Sequence, residues 1–224
     1  MADKRKQFIV IGLGRFGSSV LIALTRAGHE VLALDTDEEI VQKMSNIATH
    51  VIVADSTDED TLHALGVRNF DAAVVAIGSD IEANVFTTLL LKNFGIPKII
   101  AKAQNDLHGK MLEKIGADHV VYPEYDMGQR VAHNLITNSV LDYIELSPDL
   151  GIIEIKAPRQ LVGLNLVEAD LRNKYHVNVV AIKAGDSILV PPPPERPIEI
   201  TDVLVVVGTN KGISLLEGTC INEN

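Results

Sequence analysis

Cysteine is almost absent from this sequence, because the 224 residues include only one, Cys220. A single cysteine excludes an internal disulfide and a cysteine-rich metal site, so we interpret Cys220 as inert. Long apolar runs are also missing, since no stretch approaches the roughly 20 residues that cross a bilayer. The first residues, MADKRKQF, are charged and lack the apolar core of a signal peptide. We therefore expect a soluble, cytoplasmic protein.

Positive charge is in deficit as well. Twenty Lys and Arg residues stand against 30 Asp and Glu residues, which gives a formal net charge of −10. Such a chain repels nucleic acid and anionic membrane surfaces, so we expect no nucleic-acid partner. Hydrophobic residues make up 46% and charged residues 22%, as in ordinary globular proteins. The length suits one medium and one small domain.

The first half of the chain alternates short β-branched runs with segments of helical period. The strand candidates between Gln7 and about Tyr122 are FIVIG, EVLALD, HVIVAD, AAVVAI, KIIAKA and HVVYP, and a helical segment lies between each pair. Strands that alternate with helices build parallel sheets covered on both faces. We predict an α/β fold with a Rossmann-like doubly wound parallel sheet in residues 1–125.

The next segment differs, because apolar residues recur at helical spacing in EYDMGQRVAHNLITNSVLDYIEL. The stripe consists of Met127, Val131, Leu135, Val140 and Ile144. We predict an amphipathic helix from about Asp126 to Leu146, within a crossover and linker at 126–148. A stripe this exposed is typical of a surface that packs against another subunit, so we expect a homo-oligomer.

Residues 149–224 are predicted to form a small α+β domain. The segments GIIEIKAP, LNLVEADLRNKY, VNVVAIKA, SILVPPPP and DVLVVVG follow one another and lead to a last short helix near NKGISLLEG, and a hairpin-like turn falls at Ala184-Gly185-Asp186. The proline run 191–194 is stiff and extended, and we interpret it as a structural edge rather than as a peptide ligand.

The glycine motif GLGRFG follows the first strand and opens a helix. Gly12 allows a tight turn, Gly14 lets the backbone approach a phosphate, and Gly17 lets the helix pack close to the strand. Asp35 ends the second strand, 18 residues after Gly17, where a carboxylate accepts ribose hydroxyls and repels a 2'-phosphate. This pattern predicts a nucleotide site other than one for NADP; the alternative is a glycine turn that binds nothing.

Other polar residues lie at the same predicted sheet edge. Arg15 follows the phosphate turn, where a cation favours ligands with terminal phosphates, unless it is a solvated surface residue. Asp55 ends the third strand and is within reach of a base or ribose. Ser79 and Glu82 fit a capping box, which favours a helix-capping role. Lys102 ends the fifth strand and faces either the crevice or the surface.

The run AKAQNDLHGKMLEKIGADHVVYPEYDMG resembles the end of the RCK (also called KTN) domain, which regulates potassium channels and transporters. Together with GLGRFG, ATHVIVADSTDEDTLHALGVRNFDAAVVAIG, LRNKYHVNVVAIKAG and DVLVVVG, the resemblance covers essentially the whole chain. Within that family the sequence resembles the cytosolic subunits of bacterial Ktr potassium uptake systems. The resemblance implies an octameric ring that docks on a membrane-embedded potassium-translocating subunit and controls its gate.

The resemblance also implies that the first lobe, the RCK_N domain, binds ATP or ADP. The residues it assigns to this site are Gly12, Gly14, Arg15, Phe16, Gly17, Asp35, Thr36, Asp37, Asp55, Ser56, Ile77, Gly78, Ser79, Lys102 and Glu124. Glu124 matches a family glutamate near the phosphates, where Mg²⁺, Ca²⁺ or Na⁺ binds; carboxylate and phosphate oxygens suit such hard cations. The alternative for Glu124 is a charge that complements a helix N-terminus.

The C-terminal lobe resembles the RCK_C module, which binds cyclic di-AMP across a dimer interface in Gram-positive Ktr proteins. The matching residues are Asp170, Leu171, Arg172, Asn178, Val179, Val180 and Pro194. The resemblance implies that Arg172 pairs with phosphate while the apolar residues contact adenine. The alternative is that Leu171, Val179 and Val180 simply pack in a small core.

Three functions remain open from the sequence. The glycine motif alone permits an NAD-dependent dehydrogenase, but the small second lobe offers only His176 as an imidazole, and no nucleophile and base pair is recognisable. A regulatory protein that binds ligands at two sites requires neither a catalytic histidine nor a nucleophile and base pair. We therefore predict a non-enzymatic switch. A free-standing nucleotide sensor is the third alternative.

Overall fold

The computed structural model describes residues 5–136, 140–147 and 149–221. The chain divides into two compact units, Met1–Glu124 and Tyr125–Asn224. The side chain of Cys220 lies outside the description, so its interpretation as inert stays a prediction. No helix in the described ranges has the length and apolar character needed to cross a membrane.

The first unit contains a six-stranded parallel sheet. Its strands are β1 (Gln7–Ile11), β2 (Glu30–Asp35), β3 (His50–Val53), β4 (Ala72–Val75), β5 (Ile99–Lys102) and β6 (His119–Val121), in the order β3-β2-β1-β4-β5-β6. The order reverses direction between β1 and β4, which is where doubly wound sheets bind their ligands. The predicted fold class is confirmed.

Helices cover both faces of this sheet. They are α1 (Arg15–Arg26), α2 (Glu38–Met44), α3 (Glu59–Ala64), α4 (Ile81–Asn93) and α5 (Asp106–Ile115). Along β1, Ile9 and Ile11 belong to one buried cluster, whereas Val10 belongs to another on the opposite face. A strand buried on both faces explains the continuous apolar run FIVI.

The predicted capping box of Ser79 and Glu82 is wrong. Helix α4 begins at Ile81, and its cap is Asp80, whose carboxylate accepts a hydrogen bond from the Ala83 N–H at 2.9 Å. The helix starts one residue later than the motif requires, so Ser79 lies outside it. Asp and Ser are both good caps, and here the aspartate occupies the position from which it reaches the third helical N–H.

The second unit contains a five-stranded antiparallel sheet. Its strands are β7 (Val140–Ser147), β8 (Leu150–Lys156), β9 (Val177–Ala184), β10 (Ser187–Leu189) and β11 (Val203–Thr209), in the order β10-β9-β11-β8-β7. Helices α7 (Leu166–Ala169), α8 (Leu171–Tyr175) and α9 (Asn210–Ile221) accompany it, and α6 (Pro123–Ile136) precedes it. The expected hairpin joins β9 to β10, with Gly185 at φ +56° in the turn.

The predicted helix from Asp126 to Leu146 is wrong in its second half. Helix α6 ends at Ile136, residues 137–139 lie outside the described part of the chain, and 140–147 is strand β7. The run VLDYIEL is rich in β-branched and aromatic residues, which favour a strand. Tyr143 pairs with Ile153 of β8 and packs against the core of this unit, and that packing outweighs the helical spacing. Val140 and Ile144 therefore do not extend the stripe of α6.

Candidate functional site

A cavity of about 730 Å³ lies at the carboxyl edge of the parallel sheet. Every residue that the sequence assigned to the first lobe's site lines it except Gly17. Those residues are Gly12, Gly14, Arg15, Phe16, Asp35, Thr36, Asp37, Asp55, Ser56, Ile77, Gly78, Ser79, Lys102 and Glu124. Sequence reasoning missed other residues of the lining, including Ile11, Leu34, Ile40, Thr57 and Ala83. Ile11 ends β1, and two further lining residues, Ala54 and Ala76, directly follow β3 and β4, so their place at strand ends is the signal that could have found them.

The glycine loop can form because two of its positions exclude a side chain. A Cβ on Gly17 would lie 1.8 Å from the Gly12 carbonyl oxygen, so only glycine lets α1 approach the loop this closely. Gly12 has φ +88°, and a Cβ there would lie 2.9 Å from the Ile77 nitrogen. Gly14 has no heavy atom within 4 Å of such a Cβ, so space is left in front of the backbone. Gly17 therefore shapes the cavity without lining it.

The N-terminus of α1 is suited to an anion. Its cap is Gly14, which offers no side chain to the first N–H groups, and the first turn contains no acidic residue. Arg15 is exposed at this end, and within the described ranges its guanidinium forms no ion pair. The backbone N–H groups of the first turn, the helix dipole and the permanent positive charge of Arg15 together favour the binding of phosphate at this helix end.

Asp35 supports the glycine loop from the end of β2. One carboxylate oxygen, Oδ2, accepts a hydrogen bond from the Leu13 N–H at 2.6 Å, and Oδ1 accepts one from the Asp37 N–H at 3.0 Å. A carboxylate oxygen accepts more than one hydrogen bond, so both retain capacity for ribose hydroxyls. Asp35 therefore holds the glycine loop in place and lines the cavity at the same time.

Asp55 is held ionised at the end of β3. Its Oδ1 accepts hydrogen bonds from the Thr57 hydroxyl at 2.7 Å and the Thr57 N–H at 2.8 Å. These bonds lower the pKa of the Asp55 carboxyl below its ordinary value. The next residue, Ser56, is buried, and its hydroxyl bonds that of Thr87 at 2.8 Å. Asp55 thus offers a charged hydrogen-bond acceptor to the cavity. The turn that carries it is anchored to α4 by the bond between Ser56 and Thr87.

Lys102 and Glu124 form an ion pair at the cavity wall. The Lys102 Nζ lies 2.6 Å from the Glu124 Oε1, and their side chains are 13% and 72% exposed. The hydrogen bond from Lys102 lowers the pKa of the Glu124 carboxyl. Lys102 therefore faces the crevice rather than the surface. Among the described residues, no group of three or more His, Cys, Asp or Glu side chains is placed to hold a metal ion.

The second unit brings together only part of its predicted site. The Arg172 Nε donates to the Asn178 Oδ1 at 2.9 Å, on the exposed surface. Leu171 is buried in the core, and Val179 packs against that core, so the packing alternative applies to both. Val180 remains exposed.

Two other residues of this predicted site have backbone roles. Asp170 adopts φ +47° between α7 and α8, and the carbonyl oxygen of Pro194 accepts from the Leu166 N–H at 3.1 Å. Both therefore fix the local chain path.

Comparisons with known proteins agree over nearly the whole chain. The TrkA-N domain matches residues 8–123, and the TrkA-C domain matches residues 150–218. The chain is 50% identical over 213 residues to the Ktr system potassium uptake protein C of Bacillus subtilis, covering 95% of this chain and 96% of that protein. It is 47% identical over 214 residues to protein A of the Ktr system in the same organism, covering 96% of each.

Among solved structures, the GsuK RCK domain is similar with a TM-score of 0.67 at 19% identity. The match covers 98% of this chain and 48% of that one. At this identity the likeness shows a shared fold.

Proposed function

Because the chain matches the TrkA-N and TrkA-C domains and belongs to the family of Ktr potassium uptake proteins, we propose that it is the nucleotide-binding regulatory subunit of a potassium uptake system. One observation carries the proposal: the glycine loop, Arg15, Asp35 and Lys102 line one cavity at the ligand-binding edge of the sheet. In this proposal residues 1–125 hold the nucleotide, 126–148 link and assemble, and 149–224 hold a second ligand.

The proposed ligands of the first site are ATP and ADP. The N-terminus of α1 and Arg15 would bind the phosphates, Asp35 the ribose, and Asp55 with residues 77–79 the adenosine side. Glu124 would lie near the terminal phosphates, and since Lys102 contacts Glu124, the lysine would be near them too. The protein would act by binding and not by catalysis.

A cation at Glu124 fits the chemistry of the donors. The carboxylate and the nucleotide's phosphate oxygens are hard ligands of the kind that Mg²⁺, Ca²⁺ and Na⁺ prefer. The cation would neutralise phosphate charge. Lys102 already contacts this carboxylate, so it shares the role of counter-ion in this chain.

The proposed partner is a membrane-embedded potassium-translocating subunit, approached from the cytoplasm by an assembly of several copies of this chain. The names of the two B. subtilis relatives place those proteins in Ktr uptake systems. The exposed apolar residues of α6, Met127, Val131 and Leu135, support burial against a second copy. Dimers joined in this way would build the octameric ring.

We expect Arg15→Ala to weaken ATP binding about tenfold to a hundredfold, the equivalent of one charge-assisted hydrogen bond. AMP binding should change little, because only the terminal phosphates of ATP lie within reach of the guanidinium. Calorimetric titration of the purified chain with ATP and AMP measures both effects. Equal losses for the two nucleotides would contradict the proposed role of Arg15.

The same titrations include NADH, which is expected to bind more weakly than ATP and ADP. Tighter binding of NADH would favour the dehydrogenase-like alternative. Nucleotide binding in a protein that never copurifies with a membrane potassium transporter would favour the free-standing sensor.

In the second unit we propose a cyclic di-AMP site across a dimer of the chain. Arg172 and Asn178 support it, because they are bonded to each other at an exposed position next to Val180.

Arg172→Ala should weaken the binding of cyclic di-AMP roughly tenfold while ATP affinity stays unchanged. Calorimetry on the full chain tests this, with the mass from light scattering showing whether a dimer is present. Absence of heat from cyclic di-AMP with a dimeric wild type would reduce this unit to an assembly module.

A further inference from the structure

The side chain of Asn84 in α4 is fully buried beside the cavity. It hydrogen-bonds both the segment that follows β4 and the last residue of β5. Its Nδ2 donates to the carbonyl oxygen of Ile77 at 2.7 Å and to that of Lys102 at 3.1 Å. Asn84 is 0% exposed. Within the described part of the chain, its Oδ1 is buried without a hydrogen-bond partner. A buried amide that leaves its own oxygen unpaired is costly, so its position requires an explanation.

The orientation of this amide follows from its neighbours. Both carbonyl oxygens are acceptors, so only the NH₂ group can face them, and the flipped amide would place three oxygens together. Both N–H donors of Asn84 are therefore bonded to the carbonyl oxygens of Ile77 and Lys102. The Oδ1 is left unpaired because the amide has this orientation. No other residue type of this size supplies two hydrogen-bond donors from one neutral atom.

The two Asn84 hydrogen bonds lie just beyond the end of the backbone pairing between β4 and β5. The last backbone pair between β4 and β5 is Val75 with Ala101. Ile77 and Lys102 follow that pair, so strand pairing does not fix the distance between them. A second amide acts at the same place, because the Gln104 Nε2 donates to the carbonyl oxygen of Gly78. We name Asn84 and Gln104 the amide clamp.

The amide clamp joins two walls of the cavity. One wall is the segment 77–79, and the other begins at Lys102, whose Nζ would lie 3.2 Å from a Cβ on Gly78 and contacts Glu124. We propose that Asn84 and Gln104 are positioning residues that set the place of the Lys102 ammonium in the nucleotide cavity. The inference rests on the proposed function, since it concerns how the same site holds a nucleotide.

Calorimetric titration of the full-length chain with ATP tests the proposal. Asn84→Ala removes both bonds and should weaken ATP about tenfold, and Gln104→Ala should weaken it about threefold. Asn84→Asp keeps the shape but turns an acceptor toward the two carbonyls, so the loss should exceed that of Asn84→Ala. The matched control is Thr88→Val, which is buried in the same helix and whose hydroxyl donates to the backbone carbonyl oxygen of Asn84, so the variant leaves both side-chain bonds of Asn84 in place. ATP affinity should be unchanged in this control.

A double-mutant cycle separates positioning from general destabilisation. Lys102→Met should weaken ATP in the wild type but add little to Asn84→Ala, because the lysine is then no longer held in place. Additive losses, or wild-type affinity in the folded clamp variants, would overturn the inference. Gln104 is exposed, so Gln104→Ala decides the question if Asn84→Ala does not fold. A wild type that binds no ATP would instead overturn the proposed function.

Discussion

Gly17→Ala is expected to lower the free energy of unfolding of the first unit by about 3 kcal/mol, at the upper end of the cost of overpacking. The new Cβ would lie 1.8 Å from the Gly12 carbonyl oxygen, a backbone atom of the glycine loop. Relief requires α1 to move away from β1, and that movement also opens the nucleotide cavity. Nucleotide binding should therefore fall together with stability.

Gly14→Ala is the matched control for this effect. No heavy atom lies within 4 Å of a Cβ at Gly14, and its φ of −60° is accessible to alanine. Stability should stay nearly unchanged, while the methyl group restricts the approach of phosphate and weakens ATP. Urea unfolding followed by circular dichroism, with ATP titration of each variant, checks both outcomes. Equal stability of the two variants would contradict the close approach of α1 to the turn.

Arg196→Met is expected to lower the free energy of unfolding of the second unit by about 3 kcal/mol at pH 7, because it leaves a buried carboxylate unpaired. The side chain of Asp202 is 1% exposed. Arg196 donates from NH1 to the Asp202 Oδ2 at 2.6 Å and from NH2 to Oδ1 at 3.0 Å. Asp202 also accepts from the Glu199 N–H at 2.8 Å. Lys183→Met, which breaks the more exposed pair with Glu154, should cost less than about 1 kcal/mol.

The pH dependence of this pair has a defined sign. Burial alone would raise the pKa of Asp202, but the hydrogen bonds from Arg196 and the Glu199 N–H outweigh it, so the pKa is lowered. A lowered pKa in the folded state contributes stability above about pH 4, and that contribution is lost as the pH falls through the folded value. The stability difference between wild type and Arg196→Met should shrink as the pH falls from 7 through 4, because Asp202 in the variant keeps the burial that raises its pKa and loses the Arg196 bonds that lower it. A difference that is constant with pH would show that Asp202 is not the group involved.

The sequence predicted the first unit well because its signals are local. Each parallel strand is a short apolar run, and the glycine spacing of the turn is required by contacts between residues 12 and 17. The resemblance to the RCK family of Ktr proteins is confirmed by the domain matches and by the identity to both relatives.

The sequence-based predictions fail where the local structure is determined by contacts between segments that are distant in the chain. The apolar spacing of residues 127–144 fits a helix, but Tyr143 packs into the core of a sheet whose other strands come later in the chain. Leu171 belongs to that core, as the packing alternative expected, and its contact with a ligand stays a prediction. Asn84 and Gln104 carried no sequence signal, because their roles depend on carbonyl groups that meet only in the folded sheet.

The most direct test of the account is potassium flux into proteoliposomes that contain the proposed partner, a membrane-embedded potassium-translocating subunit, together with this chain. We predict that flux differs between ATP and ADP with the wild-type chain. With Arg15→Ala, the difference between the two nucleotides should be lost. A flux that is the same with ATP, with ADP and without the chain would contradict its role as a nucleotide-dependent regulator.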